Sequence, residues 1–191
     1  MNVLEERIIK DGKILKGNIL KVDSFLNHQL DTALINEIGA EFKRLFQDCD
    51  VTKILTIEAS GIAMGFATSQ FFNFCPVLFA KKGKAGNIGD NVYHAKEHSY
   101  TRNEDIEIFV SKDYLSKDDR VLIIDDFLAN GEALNALIGV CRQAECQIVG
   151  CGIVIEKAYQ QGGERIRKQG VRVESLARIK SMSANGVEFC R

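Results

Sequence analysis

Several common signatures are missing from this sequence, and each absence removes a class of protein. Six cysteines stand at 49, 75, 141, 146, 151 and 190 with no CxxC pair among them, so the paired-thiol zinc and redox frameworks are absent. Several lie in apolar runs, where a thiol packs as a small hydrophobe, and buried, reduced cysteines are expected. There is no excess of charge of either sign: 25 Lys and Arg face 26 Asp and Glu, a formal net charge of -1. No overall basic field is available to hold a nucleic-acid backbone, and any phosphate site must be built locally. No apolar run approaches the length that spans a bilayer, and charges every few residues in MNVLEERIIKDGKILKG leave no room for a signal-peptide core. A cytoplasmic protein without membrane or nucleic-acid partners is the expectation. Neither GxGxxG nor GxxxxGK[ST] occurs, which removes the dinucleotide and P-loop fingerprints. Internal repeats, low-complexity tracts and linkers are also missing. What remains is a 191-residue chain of 46% hydrophobic content, long enough for one domain with a proper core.

Periodicity predicts a short helix over residues 3–11 ended by Gly12, then a longer helix capped by Asp31 with Leu34, Ile35, Ile38, Phe42 and Leu45 on one face. Buried-type strands follow at Lys53 to Ile57 and Val77 to Ala80, separated by the small-residue segment EASGIAMG and a helix reaching Phe72. Further strands are predicted at Glu107 to Val110, Val121 to Asp125, Ile148 to Ile155 and Val171 to Leu176, with helices at Glu132 to Gln143 and Glu164 to Gln169. Such alternation implies an α/β domain on a parallel sheet. Residues 81–105, with Gly83, Gly86 and Gly89 among lysines, histidines and acids, lack a core-forming period and predict a long mobile loop or hairpin.

The most informative run is RVLIIDDFLANGEAL, from Arg120 to Leu134. An apolar strand leads into the paired carboxylates Asp125 and Asp126, at the end of a parallel strand where ligands gather. The small residues of Ala129-Asn130-Gly131-Glu132-Ala133 let backbone amides approach an anion at the start of a helix, which suits a phosphate monoester. Acids beside an anion site fit a sugar phosphate, whose hydroxyls need acceptors while its phosphate needs donors.

The run VLIIDDFLANGEA resembles the phosphoribosyl-pyrophosphate signature of the type I phosphoribosyltransferases. LKVDSFLNHQ at 20–29, IEASGIA at 57–63, IVIEKAYQ at 153–160 and VESLARI at 173–179 carry the likeness nearly end to end, on the side of the bacterial members that act on xanthine. The resemblance implies the type I phosphoribosyltransferase fold, a mostly parallel twisted sheet flanked by helices, in one domain over 1–191. Residues 1–30 and the C-terminal segment would form a small hood, and 81–105 an active-site loop. It implies transfer of ribose 5-phosphate from phosphoribosyl pyrophosphate to a purine, with Mg²⁺ bound through the donor, and a homodimer. Ala129, Asn130, Gly131, Glu132 and Ala133 would hold the 5-phosphate, while Asp125 and Asp126 would lie by the ribose hydroxyls and the magnesium. Leu20, Asn27 and Lys157 would contact the base. An amide at Asn27 both donates to and accepts from a purine edge, and an ammonium at Lys157 bonds an exocyclic oxo group, favouring an oxo-rich purine over adenine. Taken singly, Asn27 also fits turn chemistry or capping beside Asp31, Leu20 fits simple packing, and Lys157 a strand-end surface charge. The usual loop of this family is rich in threonine and glycine; with Ala129-Asn130 in that place, backbone contacts to the phosphate outrank side-chain ones.

Glu58-Ala59-Ser60-Gly61 resembles the family's pyrophosphate loop, where successive amides after a strand form an anion-binding concavity. Glu58, Ser60 and Gly61 are therefore candidate donor-binding residues. Lys81, Lys82 and Lys84 could neutralise the leaving group, Lys81 foremost as nearest the strand end, or could form a solvated charge cluster. His94-Ala95-Lys96-Glu97-His98 matches HxxEH of some zinc peptidases, but no third ligand and no amphipathic helix accompany it. Two rivals stay open: the same chemistry on adenine or guanine, and a regulator keeping the phosphoribosyl site as a sensor. The second needs a DNA-binding module, and the first fifty or so residues carry no basic cluster.

Overall fold

A computed structural model describes residues 1–16, 19–83, 90–99, 104–183 and 186–191, with the backbone alone at 97–99 and 104–106. Helix α1 (Asn2–Asp11) stops at Gly12, whose amide donates to the Ile8 carbonyl at 3.0 Å. A two-stranded antiparallel ribbon follows, β1 (Lys13–Leu15) with β2 (Ile19–Lys21), and then a π-helical turn, Asp23–Asn27, neither of which the periodicity announced. Asp31 caps α2 (Thr32–Leu45) as predicted, its carboxylate accepting from the Leu34 amide at 3.2 Å.

The body alternates thereafter: β3 (Lys53–Ile57), α3 (Ser60–Phe71), β4 (Val77–Lys82), β5 (Val92–Ser99), β6 (Glu104–Ser111), β7 (Arg120–Leu128), α4 (Glu132–Gln143), β8 (Gln147–Lys157), α5 (Gly162–Arg167), β9 (Val173–Ser183) and β10 (Gly186–Phe189). These strands form one eight-stranded sheet ordered β10-β9-β8-β7-β3-β4-β6-β5. The central pairings from β9 to β4 are parallel, while β10 with β9, β4 with β6 and β6 with β5 are antiparallel. The expectation of a parallel sheet thus holds for its centre and needs correction at both edges. Hairpins reach the edges because short connections suffice for antiparallel neighbours, whereas parallel ones need crossovers.

Side chains alternate across β7, so Leu122 and Ile124 join one core with α1, α2 and the π-turn, while Val121 and Ile123 join the other beneath α4. The termini meet: the Met1 ammonium donates to the Leu176 carbonyl at 2.5 Å, and α1 packs on β9 and β10. A small hood from the N-terminal region and the C-terminal strands is the result.

Residues 92–99 form β5, paired residue for residue with β6 from Val92 opposite Ser111 to Ser99 opposite Glu104. The hairpin alternative is the one realised over that part of 81–105. The missing period has a plain cause: Tyr93 and Ala95 are half-buried against the core under α4 while His94 and Lys96 are exposed, and β5 is an edge strand. HAKEH accordingly lies on a strand, without the helical face that pattern requires. Lys84, Gly86 and Gly89 lie outside the described residues. All six cysteines are free thiols, but only Cys141 and Cys151 are buried; Cys49, Cys75, Cys146 and Cys190 are partly exposed. Among the described residues no helix is long and apolar enough to cross a membrane.

Candidate active site

The carboxyl ends of four adjacent parallel strands, β8, β7, β3 and β4, line one edge of the sheet. Register places their residues level with one another. Asp125 pairs with Ile153 and Leu128 with Glu156 across β7 and β8, and Ile57 pairs with Ala80 across β3 and β4. Side by side along the edge therefore stand Lys157, the acid pair with its following loop, the turn Glu58-Ala59-Ser60-Gly61, and Lys81. Residues nearly a hundred positions apart in sequence share this edge, where open α/β sheets place ligands.

The strand predicted to end at Asp125 runs on, so that both acids lie within it. Strand β7 continues to Leu128, and Asp125 and Asp126 are buried, 4% and 8% exposed. Asp125 turns back on the chain, its Oδ1 accepting from the Asp126 amide at 3.0 Å. Asp126 Oδ2 accepts from Asn27 Nδ2 at 3.3 Å, so the π-turn of the hood reaches the acid pair. The candidate base contact and the candidate ribose contact are thereby neighbours, although 99 residues separate them.

Beyond β7 the chain turns through Ala129 and Asn130 to Gly131, which has φ +85 and stands at the head of α4. A side chain there is disfavoured twice, by the left-handed backbone and by Gly162, whose Cα would lie 3.1 Å from an added Cβ. Gly162 is equally constrained: its amide donates to the Ala129 carbonyl at 3.1 Å, and a Cβ on it would run into that same carbonyl. The loop is held by the start of α5 and leads into a helix N-terminus, whose first amides have no intrahelical partner.

Lys157 ends β8 and is half-buried; burial lowers its pKa. Beside it Glu156, 2% exposed, receives both Arg167 guanidinium nitrogens at 2.7 and 2.9 Å, the Ser175 hydroxyl at 2.6 Å and Arg178 Nε at 3.2 Å. Burial raises the Glu156 pKa, but the hydrogen bonds from Arg167 and Ser175 and the two guanidinium charges outweigh it and hold the carboxyl below its ordinary range. This clamp went unnoticed in the sequence. Its one signal was an acid next to a lysine at the end of the apolar run IVGCGIVIEK.

On the other side of the acid pair, the Glu58 amide donates to the Ala80 carbonyl at 3.1 Å, and its carboxylate accepts from the Lys82 amide at 2.6 Å. The peptide between Glu58 and Ala59 is cis. Ser60 and Gly61 form the first turn of α3, above Thr56 of β3. Lys81 is inside β4, opposite Phe109 of β6, and partly exposed. Leu20 is buried in the hood with Val22 and Phe25, 3.4 Å from where a Cβ on Gly12 would lie. The packing alternative describes its side chain.

Comparison with known proteins accords with this arrangement. Residues 22–189 match the phosphoribosyl transferase domain. The chain is 51% identical over 189 residues to the xanthine phosphoribosyltransferase 2 of Clostridium botulinum, covering 99% of this chain and 100% of that one. It is 52% identical to the xanthine phosphoribosyltransferase of Finegoldia magna, covering 99% of each. Among solved structures, the APRTase of Giardia lamblia superposes with a TM-score of 0.77 at 21% identity, over 93% of this chain and 98% of that one. The adenine phosphoribosyltransferase of Rhodothermus marinus does so with 0.73 at 22%, over 93% and 99%. At that identity the likeness is one of fold.

Proposed function

The chain belongs to the phosphoribosyltransferase family, and from that premise we propose that it transfers ribose 5-phosphate from phosphoribosyl pyrophosphate to N9 of xanthine, releasing xanthosine 5′-monophosphate and pyrophosphate. The observation that carries the reading is the crevice itself. A buried acid pair and an amide-lined loop at a helix N-terminus stand between a half-buried lysine and a strand-end turn. Relatives at half identity over the whole chain, named for xanthine, support the choice of base.

In this reading the loop amides of 129–133 take the 5-phosphate, and Asp125 and Asp126 accept from the ribose hydroxyls. The turn at Glu58, Ser60 and Gly61, with Lys81, faces the pyrophosphate. Asn27 and Lys157 address the purine edge, where the ammonium suits an oxo group. Leu20 packs the wall of the base pocket. Attack by N9 at C1 as pyrophosphate departs builds positive charge on the sugar, and the enzyme's work is positioning and electrostatics. The buried carboxylates favour that cationic ring, while Lys81 offsets charge on the leaving group. Mg²⁺ fits the donor set: two carboxylates stand near a diphosphate site, and no group of three metal-ligating side chains exists among the described residues. A hard cation held largely by substrate oxygens suits that arrangement, with Asp125 and Asp126 the residues to complete it. When bound, it would neutralise the diphosphate.

A homodimer and a place in the cytoplasm complete the proposal. Pyrophosphate release from phosphoribosyl pyrophosphate, Mg²⁺ and each of xanthine, guanine, hypoxanthine and adenine tests it. Xanthine should be preferred; release with adenine alone would replace the base assignment, and no release with any base would leave the sensor as the better account.

A further inference from the structure

We propose that Arg165 is a positioning residue for the phosphate loop, cancelling the Glu132 carboxylate so that the loop amides can receive a dianion. Glu132 is the first residue of α4, and Arg165 Nη1 lies 2.8 Å from its Oε1 and 3.3 Å from the Asn130 carbonyl oxygen. A carboxylate in the first turn complements the dipole of a bare helix. In an anion site the same charge competes with the ligand, and a neighbouring backbone carbonyl aimed at the ligand repels it further. The guanidinium answers both, because its Nη1, with two N–H groups, donates to the carboxylate and the carbonyl at once and ties them to α5.

Helix α5 is itself fixed. Gly162 donates to Ala129 at its start, Arg167 is bidentate to buried Glu156, and beyond its end Gln169 Nε2 donates to Asn135 Oδ1 of α4 at 2.9 Å while accepting from Arg142 at 3.0 Å. Arg165 is thus delivered to the loop by a framework anchored at both ends. The inference rests on the reading of 129–133 as the phosphate loop.

Ribose 5-phosphate binding to the full chain, titrated calorimetrically, separates the two ideas because it needs neither base nor turnover. Arg165→Gln should weaken binding roughly ten-fold, the size of one charge-assisted hydrogen bond. Glu132→Gln added to Arg165→Gln should recover binding to within about three-fold, since the charge that required cancelling is gone. Arg165→Lys, which keeps the charge, should lose less than Arg165→Gln, and it carries the comparison if the glutamine variant does not fold. Unweakened binding in Arg165→Gln, no recovery in the double variant, or a lysine variant as weak as the glutamine one each overturns the inference and leaves the phosphate loop standing. Absence of ribose 5-phosphate binding by the unaltered chain overturns both.

Discussion

The two ends of the crevice are built on different principles. On the side proposed for the phosphate, one stretch of chain from Asp125 to Ala133 supplies acids, turn and helix start, and the donors it would offer a ligand are backbone amides. On the side proposed for the base, Asn27 comes from a π-turn in the hood and Lys157 from the end of β8, and each would act through its side chain. A backbone site tolerates side-chain change but not a change in the path of the chain. A side-chain site behaves in the opposite way, and it also depends on whatever holds its elements together, here the hood contact at Asp126 and the Glu156 clamp.

Substitutions can break or sharpen that contrast. The largest effect is expected where the two sides meet: Asp125→Asn with Asp126→Asn should lower kcat/KM by about 10² to 10³ with the fold retained, and unaltered pyrophosphate release would remove the acid pair from the chemistry. Next comes Glu156→Gln, which leaves two arginines without their anion and should cost about 3 kcal/mol, lowering Tm by roughly 6–12 °C. Because the Glu156 carboxyl is held below its ordinary 4.5, its contribution is complete above that pH and lost as pH falls through the lowered value. Acid unfolding followed by circular dichroism should therefore show a shallower low-pH loss in the variant than in the unaltered protein. Equal slopes would mean the clamp does not titrate in this window.

Lys157→Met should raise KM for xanthine about ten-fold while leaving KM for the donor in place. Since burial lowers the Lys157 pKa, base binding in the unaltered enzyme should weaken on the alkaline side before pH 10.5, a limb the methionine variant lacks. A rise in donor KM instead would erase the division between the two sides. Smallest is the pair at the loop itself. Gly131→Ala, strained by φ +85 and by Gly162, should cost about 1–2 kcal/mol and raise donor KM several-fold. Asn130→Ala should change it by less than about three-fold, as expected where the backbone does the binding. Inverted ranks for these two would show that the Asn130 side chain holds the phosphate.

The same contrast explains what could be read in advance. Strands β3 and β7, helices α2 and α4 and the Asp31 cap followed from apolar spacing and capping chemistry, and the acid pair with its bend was visible because a strand, a turn and a helix start fit within one short run. Elsewhere the pattern was silent for identifiable reasons. Edge strand β5 buries none of its described side chains fully, and the π-turn and the β1-β2 ribbon are too short to show a period. The Glu156 clamp draws its partners from α5 and β9.

By itself the chain determined the central strand alternation, the paired acids and the small-residue bend behind them, because neighbours along a backbone are positioned by φ, ψ and hydrogen bonds of a few residues. Only the tertiary structure decided that Asn27 meets Asp126, that Arg165 meets Glu132, that Leu20 turns into the hood, and that the sheet closes with antiparallel edges. Those outcomes follow from which apolar faces are buried against each other, and a pairing across a hundred residues leaves no periodic trace in the sequence.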